Sequence, residues 1–110
     1  MTDIRQVALS LPEAVEQPHF EKTSFRVRGK IFATLTPDGE QLMVRLPVEI
    51  KEMLRQSDPD AILPLPGAWD RGGSTLIAIR SMEAAKLADL IRLAWRQVAP
   101  KTLRDTHECR

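Results

Sequence analysis

The sequence predicts an α+β domain in which one antiparallel sheet is covered by helices. Across the middle of the chain, apolar and polar residues alternate with a period of two, and tight-turn residues separate the alternating runs. On either side, apolar residues recur at the spacing of an amphipathic helix. Strands that follow one another through tight turns, with helices grouped outside them, form two layers. The predicted order of elements is therefore α-β(3)-α-β(2)-α.

The first predicted helix begins at Thr2, whose hydroxyl can cap the free N–H groups of the first turn. It is expected to end before Pro12, since the residue that precedes a proline disfavours helical geometry. Residues 12–22 are predicted to form a loop. The apolar stripe of the helix consists of Ile4, Val7, Ala8 and Leu11.

The first hairpin is the part of the sequence on which the functional prediction depends. Alternation along its first strand directs Phe25 and Val27 toward the core. Arg26 and Arg28 then point to solvent from the other face. Gly29-Lys30 is the predicted turn, because glycine tolerates the positive φ that two-residue turns need. If carboxylates neutralised both arginines, or a helix covered them, the basis for a polyanionic partner would be lost.

The remaining strands and the second helix follow from alternation, helical spacing and the positions of prolines. The proline that starts residues 47–56 suits the first turn of a helix. This helix is expected to bury Ile50, Met53 and Leu54. Lys51 is expected to face solvent. The other predicted elements are a return strand at 31–36, a turn at 37–39, a third strand at 42–46, an edge strand at 61–65, a glycine-rich loop at 67–73 and a fifth strand at 74–80.

The longest predicted helix begins at Ser81, which can cap it, and continues to about Val98. Pro100 ends the helix, and one more turn is expected within residues 101–105. Trp95 is predicted to be a buried anchor of the core. The apolar stripe of this helix consists of Leu87, Ile91, Ala94, Trp95 and Val98.

Length and composition fit one globular domain. The chain has 110 residues, of which 43% are hydrophobic and 28% charged, close to the averages for soluble domains. We expect a single domain over residues 1–110, with residues 101–110 as a frayed tail. Cys109 has no second cysteine with which to form an internal disulfide, and no apolar run is long enough to cross a bilayer. These features favour a cytoplasmic protein with no membrane partner.

The sequence contains no recognisable catalytic or cofactor-binding motif. His19 and His107 lie in the predicted loop and tail, away from any nucleophile motif. The glycines match neither the phosphate-loop nor the dinucleotide-binding pattern. His107-Glu108-Cys109 has no matching pair of metal ligands elsewhere in the chain. We therefore predict a binding module that is not an enzyme, with no cofactor and no metal.

Cationic residues are concentrated in two parts of the chain. Residues 22–30 contain no acidic residue, and the C-terminal segment is rich in arginine and lysine. Because the net charge is only +1, the distribution of charge matters more than its sum. Solvated strand and helix faces explain such a distribution, and so does a surface that contacts phosphates. The predicted nucleic-acid-binding residues are Arg26, Arg28, Lys30, Lys101 and Arg104.

A second interpretation is a protein-interaction or homodimerisation module. The proline-rich predicted edge strand at 63–66 precedes Trp69 and Arg71 in the glycine-rich loop. A short edge strand beside an exposed tryptophan can accept a partner. Alternatively, Trp69 closes one end of the core. The expected assembly is a monomer or a weak homodimer.

Several stretches, in a fixed order along the chain, carry a family resemblance. They are residues 11–13 (LPE) followed by His19-Phe20, residues 24–34 (SFRVRGKIFAT), residues 66–69 (PGAW) followed by Gly72-Gly73, and residues 94–101 (AWRQVAPK). Together they resemble the MmcQ/YjbR family of small bacterial proteins. The resemblance implies a fold similar to that of secretion chaperones, and DNA binding through a "double wing" surface. It implies no catalytic residues. Many relatives carry an aromatic residue where this chain has Ser74, so no stacking role is implied there.

Overall fold

The fold is an α+β arrangement in which helices pack against one face of an antiparallel sheet, as predicted. The computed structural model describes residues 4–19, 21–64 and 74–103. In this part of the chain six strands form one sheet with the order β1-β2-β3-β4-β6-β5. The elements are α1 (Ile4–Leu9), β1 (Ala14–His19), β2 (Lys22–Val27), β3 (Lys30–Leu35), β4 (Gln41–Arg45), α2 (Val48–Ser57), β5 (Ile62–Leu63), β6 (Ser74–Ala78), a 3-10 turn (Ile79–Ser81) and α3 (Ala84–Val98).

The predicted loop at residues 12–22 is wrong, because it contains strand β1. This strand pairs antiparallel with β2, beginning with Ala14 opposite Val27. It lies at the edge of the sheet, where residues 15–18 are all exposed and Pro18 does not interrupt an inner ladder. An exposed edge strand does not need apolar alternation, so the sequence pattern did not reveal it. The observed order is α-β(4)-α-β(2)-α.

The core lies between the sheet and the helices, and Trp95 is the largest fully buried side chain among the described residues. The indole Nε1 donates a hydrogen bond to the carbonyl oxygen of Pro12 at 3.0 Å, which joins α3 to the segment between α1 and β1. Phe25 and Phe32 are also fully buried. These positions confirm the predicted inward face of the hairpin and the predicted burial of Trp95.

A bulge in β3 explains how adjacent residues of that strand can both be buried. Phe25 lies opposite Ala33, whereas the next residue of β2, Arg26, lies opposite Ile31. Phe32 is therefore an extra residue between two regular pairs. Phe32 and Ala33 are both buried in the core.

The second helix differs from its prediction in the side chains that it buries. Met53 is 62% exposed, whereas Lys51 is only 2% exposed. The Lys51 Nζ donates a hydrogen bond to the backbone carbonyl oxygen of Ser74 at 2.8 Å, which provides the buried amine with a polar partner. Residue type alone does not show that such a carbonyl is within reach.

The predicted ends of the later elements also need correction. Strand β6 ends at Ala78, and Ser81 belongs to the 3-10 turn that follows, so Ser81 does not cap α3. Glu83 precedes the first residue of α3 instead. Strand β5 lies at the second edge of the sheet, as predicted for the proline-rich segment. Within the described ranges, no helix combines the length and apolar character that crossing a membrane requires.

Candidate nucleic-acid interface

The turn of the first hairpin is Arg28-Gly29, one residue earlier than predicted. Val27 pairs with Lys30, which leaves two residues in the turn. Both have positive φ, 52° at Arg28 and 81° at Gly29, as in the two-residue turn whose twist matches the flanking strands. Left-handed backbone is uncommon for a residue with a side chain, so the sequence favoured the later position. As a result, Lys30 is the first residue of β3 and not part of the turn.

Arg28 is held by a carboxylate, so it is not a free cation. Its Nε and Nη2 donate hydrogen bonds to the Glu13 Oε1 and Oε2 at 2.7 and 2.9 Å, a bidentate arrangement. These hydrogen bonds lower the pKa of Glu13, and the carboxylate in turn raises the pKa of Arg28. Arg28 is exposed, as strand alternation predicted, but Glu13 neutralises its charge, so the prediction that it offers a free cation to a polyanion is wrong. Arg28 lies beyond the end of the strand, in a turn whose backbone directs it toward Glu13.

Three other cations line one open cleft at the end of the sheet that carries this turn. The cleft has a volume of about 600 Å³. Arg26 and Lys30 were predicted to contribute to a binding surface, and the structure brings them together. Arg45, from the end of β4, is a third cation that the sequence prediction omitted. We call this site the cationic cleft; it is lined by Arg26, Gly29, Lys30, Ile31, Arg45, Leu46, Gln97 and Val98.

Strand alternation explains why the two arginines of the cleft lie away from the core. Arg26 stands between the buried residues Phe25 and Val27 of β2. Arg45 follows the buried Val44 at the end of β4 and is itself exposed. In the meander of β2, β3 and β4, the last residue of β4 lies at the same end of the sheet as the first hairpin turn. The predicted meander therefore could have placed Arg45 beside the first hairpin turn.

Among the described residues, no carboxylate pairs with the three cations of the cleft. The Arg26 Nε donates a hydrogen bond to the neutral Ser24 Oγ at 3.0 Å, and this hydroxyl donates to the backbone carbonyl oxygen of Gln17 at 2.7 Å. These contacts orient the guanidinium group without neutralising it. In the described part of the chain, no ion pair with a carboxylate involves Arg26, Lys30 or Arg45.

Of the remaining predicted site residues, only Lys101 lies in the described part of the chain. Lys101 is exposed in a helical turn at residues 101–103 and is not among the lining residues. Arg104, Trp69 and Arg71 lie outside the described residues. Within the ranges that the structure describes, no three His, Cys, Asp or Glu side chains are grouped so that they could hold a metal ion.

Comparison with known proteins relates both the sequence and the fold to one group. The crystal structure of the Deinococcus radiodurans protein DR2400, which has a DUF419 domain, is similar to this chain with a TM-score of 0.80. The alignment covers 94% of this chain and 84% of that chain at 24% sequence identity, which shows a shared fold. No curated protein matches. The YjbR family model matches residues 9–97, in agreement with the predicted resemblance. The chain therefore belongs to the YjbR family.

Proposed function

We propose that this protein is a non-enzymatic nucleic-acid-binding module whose cationic cleft contacts phosphate groups. The observation that supports this most is the convergence of Arg26, Lys30 and Arg45 on one cleft. Long cationic side chains on one surface are the groups that contact nucleic-acid backbones. Arginine adds a planar fork of donors that suits a phosphate.

Three phosphate contacts and a net charge of +1 would make this binding weak and dependent on salt. Each neutralised phosphate contributes about −0.9 to the slope of log affinity against log salt on duplex DNA, so three contacts give about −2.7. The net charge of +1 adds little long-range attraction. We therefore expect binding that is clear at low ionic strength and weakens steeply as salt is added.

Fluorescence anisotropy with labelled DNA of mixed sequence, single-stranded and duplex, tests the proposal. Arg45→Gln should weaken binding, because it removes one of the three cleft cations. Arg80→Gln is the matched control: it removes the same charge from an exposed arginine that is paired with Glu40 at 3.3 Å. Failure of the wild-type protein to bind either form of DNA at low salt would refute the proposal, as would equal losses in the two variants.

A protein-interaction or homodimerisation role is the second candidate, supported by the position of β5 at the sheet edge. The strand has only two residues, Ile62 and Leu63, and Pro64 follows it. Because short edge strands and prolines hinder the addition of another strand, β5 supports this role less strongly than the cationic cleft supports nucleic-acid binding. Light scattering across a concentration series, with Trp69→Ala beside the wild type, tests this role. A mass that rises with concentration in the wild type and not in the variant would support it.

A further inference from the structure

A second cavity lies on the open face of the sheet and continues the cationic cleft. It has a volume of about 270 Å³ and shares Ile31 and Arg45 with the cleft. We call it the sheet pocket. Its lining includes Lys22, Ile31, Thr34, Met43, Arg45 and Ser74.

The strand register places apolar side chains of this pocket on the face away from the core. Met43 stands between the buried residues Leu42 and Val44, and it lies opposite Thr34 on one side and Leu76 on the other. Met43 is only partly buried. An apolar surface therefore lies directly beside a cluster of cations that have no carboxylate partner among the described residues.

We infer that the sheet pocket receives an unpaired base of a single-stranded nucleic acid whose phosphates lie along the cationic cleft. This inference depends on the proposed function and identifies the form of nucleic acid that the site would bind. An occupant that matches the site must combine an apolar group with adjacent negative charge. A nucleotide of a single strand does so, because its base can turn away from its own phosphates.

The shape of the site favours a single strand over a duplex. Base edges in a duplex lie within grooves, and a protein reads them with a helix or a two-stranded ribbon that enters the groove. The sheet pocket is concave, so a group of the ligand must enter the protein. A duplex can place its phosphates near Arg26, Lys30 and Arg45, but its paired bases cannot reach Met43.

The contact with the base would be aliphatic. Phe32 lines the pocket but is fully buried, as are Phe25 and Trp95, so none of these three rings is exposed for stacking on a base. Ile31 and Met43 would supply dispersion contacts instead. Such contacts do not distinguish one base from another, so we expect little sequence preference.

The experiment compares three labelled probes of equal length at low salt: a single-stranded oligonucleotide, the corresponding duplex and an abasic strand with the same number of phosphates. The variant is Met43→Ala, and Met53→Ala on the exposed face of α2 is its matched control. Met43→Ala should weaken binding of the intact single strand by about three- to tenfold, the range expected from losing the apolar contact of one side chain. Binding of the abasic strand should not change, and Met53→Ala should affect none of the probes.

The outcomes separate this inference from the proposed function. If the abasic strand and the duplex bind as tightly as the intact single strand, and Met43→Ala changes nothing, the inference is overturned while phosphate binding stands. If no probe binds the wild-type protein, both the proposed function and the inference are overturned. Binding of an acidic, leucine-containing peptide that depends on Met43, in the absence of oligonucleotide binding, would assign the pocket to a protein partner and overturn the inference as well.

Discussion

Replacing Trp95 by alanine tests the packing that holds α3 against the sheet. The side chain is fully buried, and its Nε1 donates a hydrogen bond to the Pro12 carbonyl oxygen. Truncating a buried tryptophan to alanine costs about 3–5 kcal/mol, since apolar contacts are lost and a cavity remains. The hydrogen bond contributes about 0.5–1.5 kcal/mol of net stability within that total. Against a typical domain stability of about 5–15 kcal/mol, this is a large fraction.

Urea unfolding followed by far-ultraviolet circular dichroism measures the effect, because the fluorescence of the missing tryptophan cannot be used. If the free energy of unfolding falls by about 1.5 kcal/mol per molar urea, the loss of stability in Trp95→Ala should lower the unfolding midpoint by about 2–3 M. Trp95→Phe is the matched control, since it keeps an aromatic ring and loses the N–H donor. It should cost roughly 1–3 kcal/mol. A cost below about 1 kcal/mol for Trp95→Ala would show that the buried face of α3 is assigned wrongly.

Two further predictions concern the polar contacts that sequence reasoning missed. Arg28 lowers the pKa of Glu13 below 4.5, so the stabilisation from this pair should be complete above that pH and should disappear as the pH falls through the lowered value. Thermal melts of the wild type and Glu13→Gln should therefore differ at neutral pH and converge in acid; a gap that is independent of pH would contradict this assignment. Lys51→Ala leaves the Ser74 carbonyl oxygen without its buried donor and should cost about 1–3 kcal/mol in urea unfolding. Gln56→Ala, an exposed position on the same helix, should change stability by less than about 0.5 kcal/mol, and an equal effect of the two substitutions would refute the buried role of Lys51.

The sequence predicts those parts of the fold in which side-chain periodicity reflects burial. Alternation at Phe25 and Val27 and the helical stripe around Trp95 both correspond to the observed core. Strand β1 was not predicted, because it is an exposed edge strand and its apolar and polar residues do not alternate. Lys51 was misplaced because its burial depends on a carbonyl group 23 positions away in the sequence.

The candidate site could be predicted only in part, for a similar reason. Arg26 follows from alternation alone. The direction of Arg28 depends on which two residues form the turn and on a carboxylate from the segment before β1, neither of which local pattern specifies. Arg45 could have been predicted from the meander, because the order of β2, β3 and β4 alone places the end of β4 beside the first hairpin turn. Contacts between distant segments therefore decide which cations stay available.

The salt dependence of binding to a single-stranded oligonucleotide tests the central claim most directly, because it counts phosphate contacts. The wild-type protein should show a slope of log affinity against log salt of about −2.1, from three contacts at about −0.7 each. The combined variant Arg26→Gln, Lys30→Gln, Arg45→Gln, shown by circular dichroism to be folded, should have a slope close to zero. A slope that is the same in both proteins would mean that the cationic cleft is not where phosphates bind.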